Sequence, residues 1–379
     1  MVEQKSTGAS FYIWIAVITV ALAVGVWGTV TLIVNGHSTT GTSSQIPWGI
    51  FVPGYVFFVA ASVGCVIVSL GYALGMKKFE LIMKRAVFVG IVTLLAGGLL
   101  IILDLGSPLT AIRFFMSPNL TSPMWWLSIF YLAYLILLVI EFYLIHKNKV
   151  GRIKVVGIFA GLAAIAASST LGGLFGFAAV RTYFESAFSP IYFLLIAVII
   201  GTALLLFTTI LQYKVTKKEM NPELHSLVVG LAKFLGVMVG IAIFFTIWKD
   251  LTGLSSTIPT TALAYEHIFS TWWYWVVVLF MGLVTPVFLL FNSGTRKLNG
   301  ILAASVLVLI GMFAARIEFT LGGQITPIVA NLKHLAFPLG SYSATFVEIA
   351  VILFAVAVAA LLYTIGTRAL ALEKVPEHD

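Results

Sequence analysis

Long apolar runs separated by polar turns make up almost the whole chain. Ten of them reach the roughly 20 residues that a helix needs to cross a ~30 Å hydrocarbon core. They cover residues 11–34, 48–75, 85–106, 123–146, 153–179, 190–213, 225–249, 271–291, 299–319 and 343–366. The first run is too long for a secretory signal. Only Lys5 precedes it and no small-residue cleavage site follows, so it reads as an uncleaved helix. The pattern predicts an all-α integral membrane protein with about ten transmembrane helices.

The polar positions orient these helices. The N-terminus, the turns after the second, fourth, sixth and eighth spans, and the C-terminal tail hold 16 of the 22 Lys and Arg residues. Arg113, Arg181, Lys249 and Lys333 lie on the opposite side, and Lys233 and Arg316 fall within spans. Basic residues mark the cytoplasmic side, so both termini are expected in the cytoplasm. The cytoplasmic turns are short. The outer connections, about 35–47, 107–122, 180–189, 250–270 and 320–342, are longer and carry Pro, Gly, Ser, Thr and aromatic residues. Long connections between tightly packed helices mark function or partner binding.

Composition excludes several classes. Hydrophobic residues are 60% of the chain and charged residues 9%, against globular norms of roughly 45–50% and 25%. So few charges cannot cover a soluble surface. A soluble enzyme, a disordered protein and a disulfide scaffold are therefore set aside. The net charge of +8 invites a nucleic-acid partner until the basic residues are placed in turns, where they orient helices. No nucleic acid is expected, and lipid is. The single cysteine, Cys65, sits in an apolar run and reads as a small packing residue.

A weak internal repeat emerges. Thr121-Ser122-Pro123-Met124-Trp125-Trp126 opens the fourth span, and Thr271-Trp272-Trp273 opens the eighth. Thr170-Leu171-Gly172-Gly173 ends the fifth, and Thr320-Leu321-Gly322-Gly323 follows the ninth. Offsets of 147 and 150 residues nearly agree and predict a parallel repeat. The expected organisation is a peripheral helix and outer loop over 1–44, four-helix bundles over 45–185 and 186–325, and an outer loop, peripheral helix and cytoplasmic tail over 326–379.

Ionisable residues inside a membrane are costly and point to function. Asp104, Arg316, Glu318 and Glu348 lie near outer helix ends. Glu141 and Lys233 lie towards the inner face, and Lys249 and Asp250 at the outer boundary. Each has a structural alternative. Arg316 suits an ion pair with Glu348 or Asp104. Glu318, two residues on, is expected on another side of that helix. Lys233 has the reach to snorkel to the cytoplasm, and Glu141 lies about a turn from the basic turn at Lys147. Taken together, they predict a polar site near the outside and an inward proton path through Glu141 and Lys233. Trp48, Trp125, Trp126, Trp272, Trp273 and Trp275 gather at outer helix ends, as an interfacial belt or as the mouth of a site for a ring-shaped ligand. All six histidines lie in loops or at helix ends. A transmembrane b-type haem needs axial ligands within the spans, and a cluster needs about four ligands, so no haem and no iron–sulfur cluster are expected in this chain. CxxCH, metal-ligand spacings and phosphate loops do not occur.

Three stretches carry a resemblance. The first is Ile46-Pro47-Trp48-Gly49-Ile50 with the small-residue run Ala60-Ala61-Ser62-Val63-Gly64. The second is Asp104-Leu105-Gly106-Ser107-Pro108 followed by Ser122-Pro123-Met124-Trp125-Trp126. The third is Arg316 with Glu348. In order, over residues 45–365, they resemble the NrfD-like family of polysulfide reductase membrane subunits. Ten spans resemble its longer branch, with the membrane subunits of alternative complex III, some hydrogenases and sulfite-reductase-associated complexes. The shorter polysulfide reductase subunit has eight.

The resemblance implies a quinone-reactive, multi-pass subunit of a respiratory oxidoreductase complex in a prokaryotic plasma (inner) membrane, without redox centres of its own. Its substrate would be menaquinone or ubiquinone. A ferredoxin-like iron–sulfur subunit would dock on the outer face and connect to a further redox subunit, such as a molybdopterin enzyme, a hydrogenase, a multihaem cytochrome or a heterodisulfide-reductase-like protein. Several long members carry a His-Gln-Ser-Ser-like element in the fifth helix. Here the stretch is Ala167-Ser168-Ser169-Thr170, with Ala167 in place of the histidine. On this reading Trp48, Gly49, Asp104, Ser169 and Thr170 form the quinone site, with Asp104 handling protons. Arg316 and Glu348 form a buried pair in the second bundle. Glu141 and Lys233 carry protons from inside, which would couple redox to proton translocation. The alternatives are a secondary transporter, which would place its site at the midplane, or a non-catalytic anchor of a redox complex.

Overall fold

A computed structural model describes residues 9–106, 111–178, 181–327 and 339–373. Ser107 and Pro108 lie outside the described residues. Among the described residues the only regular structure is helical, and ten helices are long and apolar enough to cross a membrane. In a medium without water each backbone N–H and C=O must be satisfied within its own segment, which the α-helix achieves. The spans belong to α1 (Ala9–Asn35), α2 (Phe51–Ala73), α3 (Glu80–Asp104), α5 (Pro123–His146), α6 (Val150–Gly176), α7 (Ser189–Thr216), α8 (Pro222–Leu254), α10, α11 (Leu298–Ile325) and α12 (Phe346–Ala369). The short α4 (Ala111–Met116) and α9 (Pro259–Ser270) lie in connections. Helix α10 starts in π register over Tyr274–Val284 and continues as α-helix over Thr285–Phe291. The register changes beside Pro286, which has no N–H to give the ladder. The ends that carry the long connections are termed outer, after the charge asymmetry of the sequence.

Helices α2, α3, α5 and α6 pack in a closed ring, and α7, α8, α10 and α11 pack in a second. The rings meet through α2 on α7, α6 on α7 and α2 on α11. Helices α1 and α12 pair with each other, and α12 leans on α3. Lipid tails are as apolar as leucine, so close backbone approach replaces the hydrophobic effect in joining helices. Such an approach occurs where Gly64 of α2 crosses Gly201 of α7. A Cβ on Gly201 would land on the backbone of Gly64 and Cys65, and one on Gly64 would land on Ala197. The buried Cys65 thiol donates to the Gly201 carbonyl there, at 3.6 Å. Gly282 and Gly311 bring α10 and α11 together in the same way.

Several span limits move. Helix α8 continues to Leu254 and α11 to Ile325, so Gly322 and Gly323 are helical. They present bare backbone to Tyr183 and Phe184 of the α6–α7 connection. At the inner end α3 begins at Glu80, which places Lys84 and Arg85 inside the helix, 7% and 3% exposed. Reading them as turn charges misses what they hold. Lys84 donates to the Ala371 carbonyl at 3.2 Å, and Arg85 to the Gln212 side chain at 2.9 Å. Gln212 in turn bonds the Glu373 carboxylate. The segment after α12 is thereby fastened beneath α3 and α7.

Candidate functional site

Three polar groups sit within the helices. The first lies at the outer corner where α2 begins. Gln324, wholly buried near the end of α11, accepts from the Trp48 N–H at 2.9 Å and donates to the Trp48 carbonyl at 3.1 Å. Arg181 donates to the carbonyls of Gly323 and Gln45. Held at both ends, Trp48 turns its indole inward, edge-on to Phe175 at 5.7 Å and beside Phe184. Trp126, Trp272 and Trp275 are exposed instead, as a belt at an interface would be.

Gly49 lies beneath Glu348, whose Oε1 occupies the place of a Cβ. The Glu348 carboxylate is wholly buried and accepts from Gly41 N–H at 2.9 Å, Thr345 N–H at 2.9 Å and Tyr342 O–H at 2.8 Å. Tyr342 also accepts from Ile50 N–H. Burial, then the neighbouring Glu348 carboxylate, push its hydroxyl well above the usual phenol range, so it stays a donor. Glu348 therefore does not pair with Arg316. It closes a capping box with Thr345 at the start of α12 and locks the 41–50 loop in place. Asp104, half-buried at the end of α3, lies within electrostatic reach of His37 and Glu348. The His37 ring rests against Gly106, which turns the chain at φ 66°. Ser169 and Thr170 stand on α6, one to two turns inward of Phe175. The Thr170 hydroxyl donates to Ala166 of its own helix.

The second group fills the outer half of the α7–α11 ring. Lys249 lies 3.4 Å from Glu318 and 3.7 Å from Asp250. Tyr183 donates to Glu318 at 2.6 Å and Tyr274 donates to Asp250. Burial and the Glu318 charge raise the Tyr183 hydroxyl well above the phenol range. Tyr265 of α9 covers Gly253 and lies over Lys249, 5.8 Å from ring centre to Nζ. Arg316, 2% exposed, stacks 4.3 Å from the Phe193 ring, and its Nε and Nη2 meet no hydrogen-bond partner among the described residues. Glu318 does not turn away from Arg316 as its spacing predicts: both line one small cavity.

The third group runs along α5. Tyr131, Tyr134 and Glu141 fall at offsets of three and seven, on one helix face. Tyr131 meets Tyr55 of α2 edge-on. Tyr134 bonds the Ser62 hydroxyl at 3.0 Å, and Ser62 donates to the Gly90 carbonyl. Glu141, 2% exposed, faces Gly157 of α6. Lys233 does not join this line. It lies on the exposed face of α8, from which a lysine stem has the reach to snorkel towards the inner end.

The structure thus brings Gly49 to Glu348 and Glu348 within electrostatic reach of Asp104, sets Trp48 over the outer end of α6, and separates Arg316 and Lys233 from their expected roles. Sequence reasoning missed Gln324, Tyr342, Tyr183 and the Lys249–Glu318 pair. The α5 tyrosines were findable from their spacing. Among the described residues no three His, Cys, Asp or Glu side chains gather as a metal site would require.

A family model described as polysulphide reductase, NrfD, matches residues 38–329. Among curated proteins, the chain is 28% identical to an Hdr-like menaquinol oxidoreductase integral membrane subunit of Archaeoglobus fulgidus, over 89% of this chain and 87% of that one. It is 25% identical to a selenate reductase subunit of Mesobacillus selenatarsenatis, over 82% of each. It is 21% identical to the menaquinone reductase integral membrane subunit of Nitratidesulfovibrio vulgaris, over 86% and 84%.

Proposed function

The chain belongs to the polysulphide reductase NrfD family, and on that premise we propose that it is the quinone-reactive membrane subunit of a respiratory oxidoreductase complex. The observation that carries the reading is the outer corner, where a half-buried carboxyl at Asp104 lies in electrostatic reach of His37 and of Glu348, and Glu348 covers Gly49, the neighbour in the chain of Trp48 with its aromatic wall of Phe175 and Phe184. Two of the relatives are named for menaquinol or menaquinone chemistry.

Quinone and quinol interconvert by two electrons and two protons. Trp48 offers a ring face, and Ser169 and Thr170 leave room for a flat head group, whereas the space beside Gly49 is taken by Glu348. Asp104 takes or gives the proton at a quinone oxygen. Glu348 and Gln324 position rather than react, since their polar atoms are engaged in holding the 41–50 loop. Electrons pass to or from an iron–sulfur protein docked on the outer face, which connects to a further redox subunit. Protons reach the site from inside along Glu141, Tyr134 and Tyr131. Each of these groups carries or relays a proton within the first ring.

A soluble naphthoquinone analogue at a hundred times its Kd is expected to stabilise the purified chain by about 2.7 kcal/mol. Trp48→Ala and Asp104→Asn should each remove most of that shift without lowering the melting temperature of the free protein by a comparable amount. A wild-type chain that ignores the analogue, yet still retains an iron–sulfur partner through purification, is only an anchor.

The distribution of basic residues supports a cytoplasmic side for both termini. Cys65 is wholly buried, so the native thiol is a quiet background. An impermeant maleimide added to intact cells should label Thr257→Cys, between α8 and α9, and spare Lys147→Cys, between α5 and α6, until the cells are opened. Labelling of Lys147→Cys in intact cells would reverse the orientation.

A further inference from the structure

The cavity among Tyr192, Lys249, Ala315, Arg316, Glu318 and Phe319 has a volume of about 10 Å³. That is close to the space one water molecule needs, provided that two to four polar partners surround it. The walls meet this condition. Arg316 is among the largest fully buried side chains, and its Nε and Nη2 have no partner among the described residues. A buried donor left unsatisfied costs about 1–3 kcal/mol, and more when charged. The ring of Phe193 supports one side of the guanidinium but supplies no acceptor for an in-plane N–H. Glu318, which also lines the cavity, is shared between Tyr183 and Lys249. A carboxylate has about four lone-pair sites, so it retains acceptor capacity.

We infer that this cavity is a built site for one ordered water, which accepts from Arg316 and donates to the Glu318 carboxylate. The water resolves both anomalies. It satisfies a buried guanidinium that has no acid against it, and it ties Arg316 to the Lys249–Glu318–Asp250 group across α11. With Tyr131 of α5 and Tyr192 of α7 in electrostatic reach of Arg316, the site stands where the polar groups of the two rings approach. A halide fits less well, because it is larger than water and meets the Glu318 charge on the wall. The inference is independent of the quinone reading.

Radiolytic hydroxyl labelling of the purified full chain tests it, since radicals form at bound water and oxidise adjacent side chains. Phe319 lines the cavity, while Phe58, buried to the same 8% exposure, packs in the separate apolar cluster of α2, α3 and α12. Phe319 is expected to oxidise several-fold faster than Phe58 in gluconate buffer, at a rate that chloride leaves unchanged. Ala315→Leu, which fills the cavity, should bring Phe319 down to the Phe58 rate and leave exposed Trp272 unchanged. The wild-type ratio stands alone if that variant does not fold. Equal rates for the two phenylalanines in wild type, or an unchanged Phe319 rate in a folded Ala315→Leu, would overturn the water site. A Phe319 rate that drops in chloride would overturn it in favour of a halide.

Discussion

Gly201→Leu eliminates folded protein from detergent extracts, whereas Gly240→Ala leaves the yield unchanged or improves it. The contrast follows from what surrounds each glycine. At Gly201 a Cβ would meet the backbone of Gly64 and Cys65, where the two four-helix rings come into backbone contact. Over-packing a core usually costs ~1–3 kcal/mol because side chains shift aside. Here the obstacle is main chain, so α2 and α7 must move apart along their whole contact, and the Cys65–Gly201 bond is lost as well. At Gly240 of α8 nothing lies within 4 Å of the added atom, and a helix gains roughly 0.5–1 kcal/mol when Gly becomes Ala. The measurements are the monodisperse fraction by size exclusion and the thermal midpoint. A monodisperse Gly201→Leu protein that melts with wild type would show that the rings are not joined at this crossing.

The second large effect concerns Lys249. Lys249→Met leaves the buried Glu318 and Asp250 carboxylates without their shared cation, retaining only the Tyr183 and Tyr274 hydroxyls. Removing one partner of a buried pair typically costs ~3–5 kcal/mol, while removing both charges is often near neutral. Lys249→Met is therefore expected to lower the unfolding midpoint severely. Glu318→Gln should cost less, because Lys249 keeps Asp250. The Lys249→Met, Glu318→Gln double variant should recover most of the loss, with a coupling well above the ~0.3–0.5 kcal/mol expected of independent sites. Additive losses in the double variant would mean that the two side chains act separately, each through its own packing.

The residues divide clearly between what was legible in the chain and what was not. Ten spans could be read because lipid demands a fixed length of apolar helix, and that requirement is local. Trp48, Gly49 and Asp104 were legible as features of motifs at helix ends. Glu348 reads from the chain as a partner of Arg316, whereas the structure pairs it with Gly41, Tyr342 and Thr345. Its Thr345-x-x-Glu348 spacing is a capping box, a signal available within four residues. Lys84 and Arg85 read as turn charges, yet their burial depends on a tail 287 residues further along the chain for Lys84. Lys233 and Glu141 look alike in sequence, as single charges in apolar runs. One faces outward and the other lies between α5 and α6.

The chain alone determined that this is an all-helical membrane protein with ten crossings, because apolar length and charge placement act segment by segment. It also pointed to the family, through short motifs at helix ends. Only the tertiary structure decided which polar groups meet. Trp48 and Gln324 are 276 residues apart, and Lys249 and Glu318 are 69 apart. Whether two such groups touch depends on the rotation of each helix about its axis and on how closely glycines let the backbones approach. Neither is a property of one segment, so both emerge only when the two rings pack.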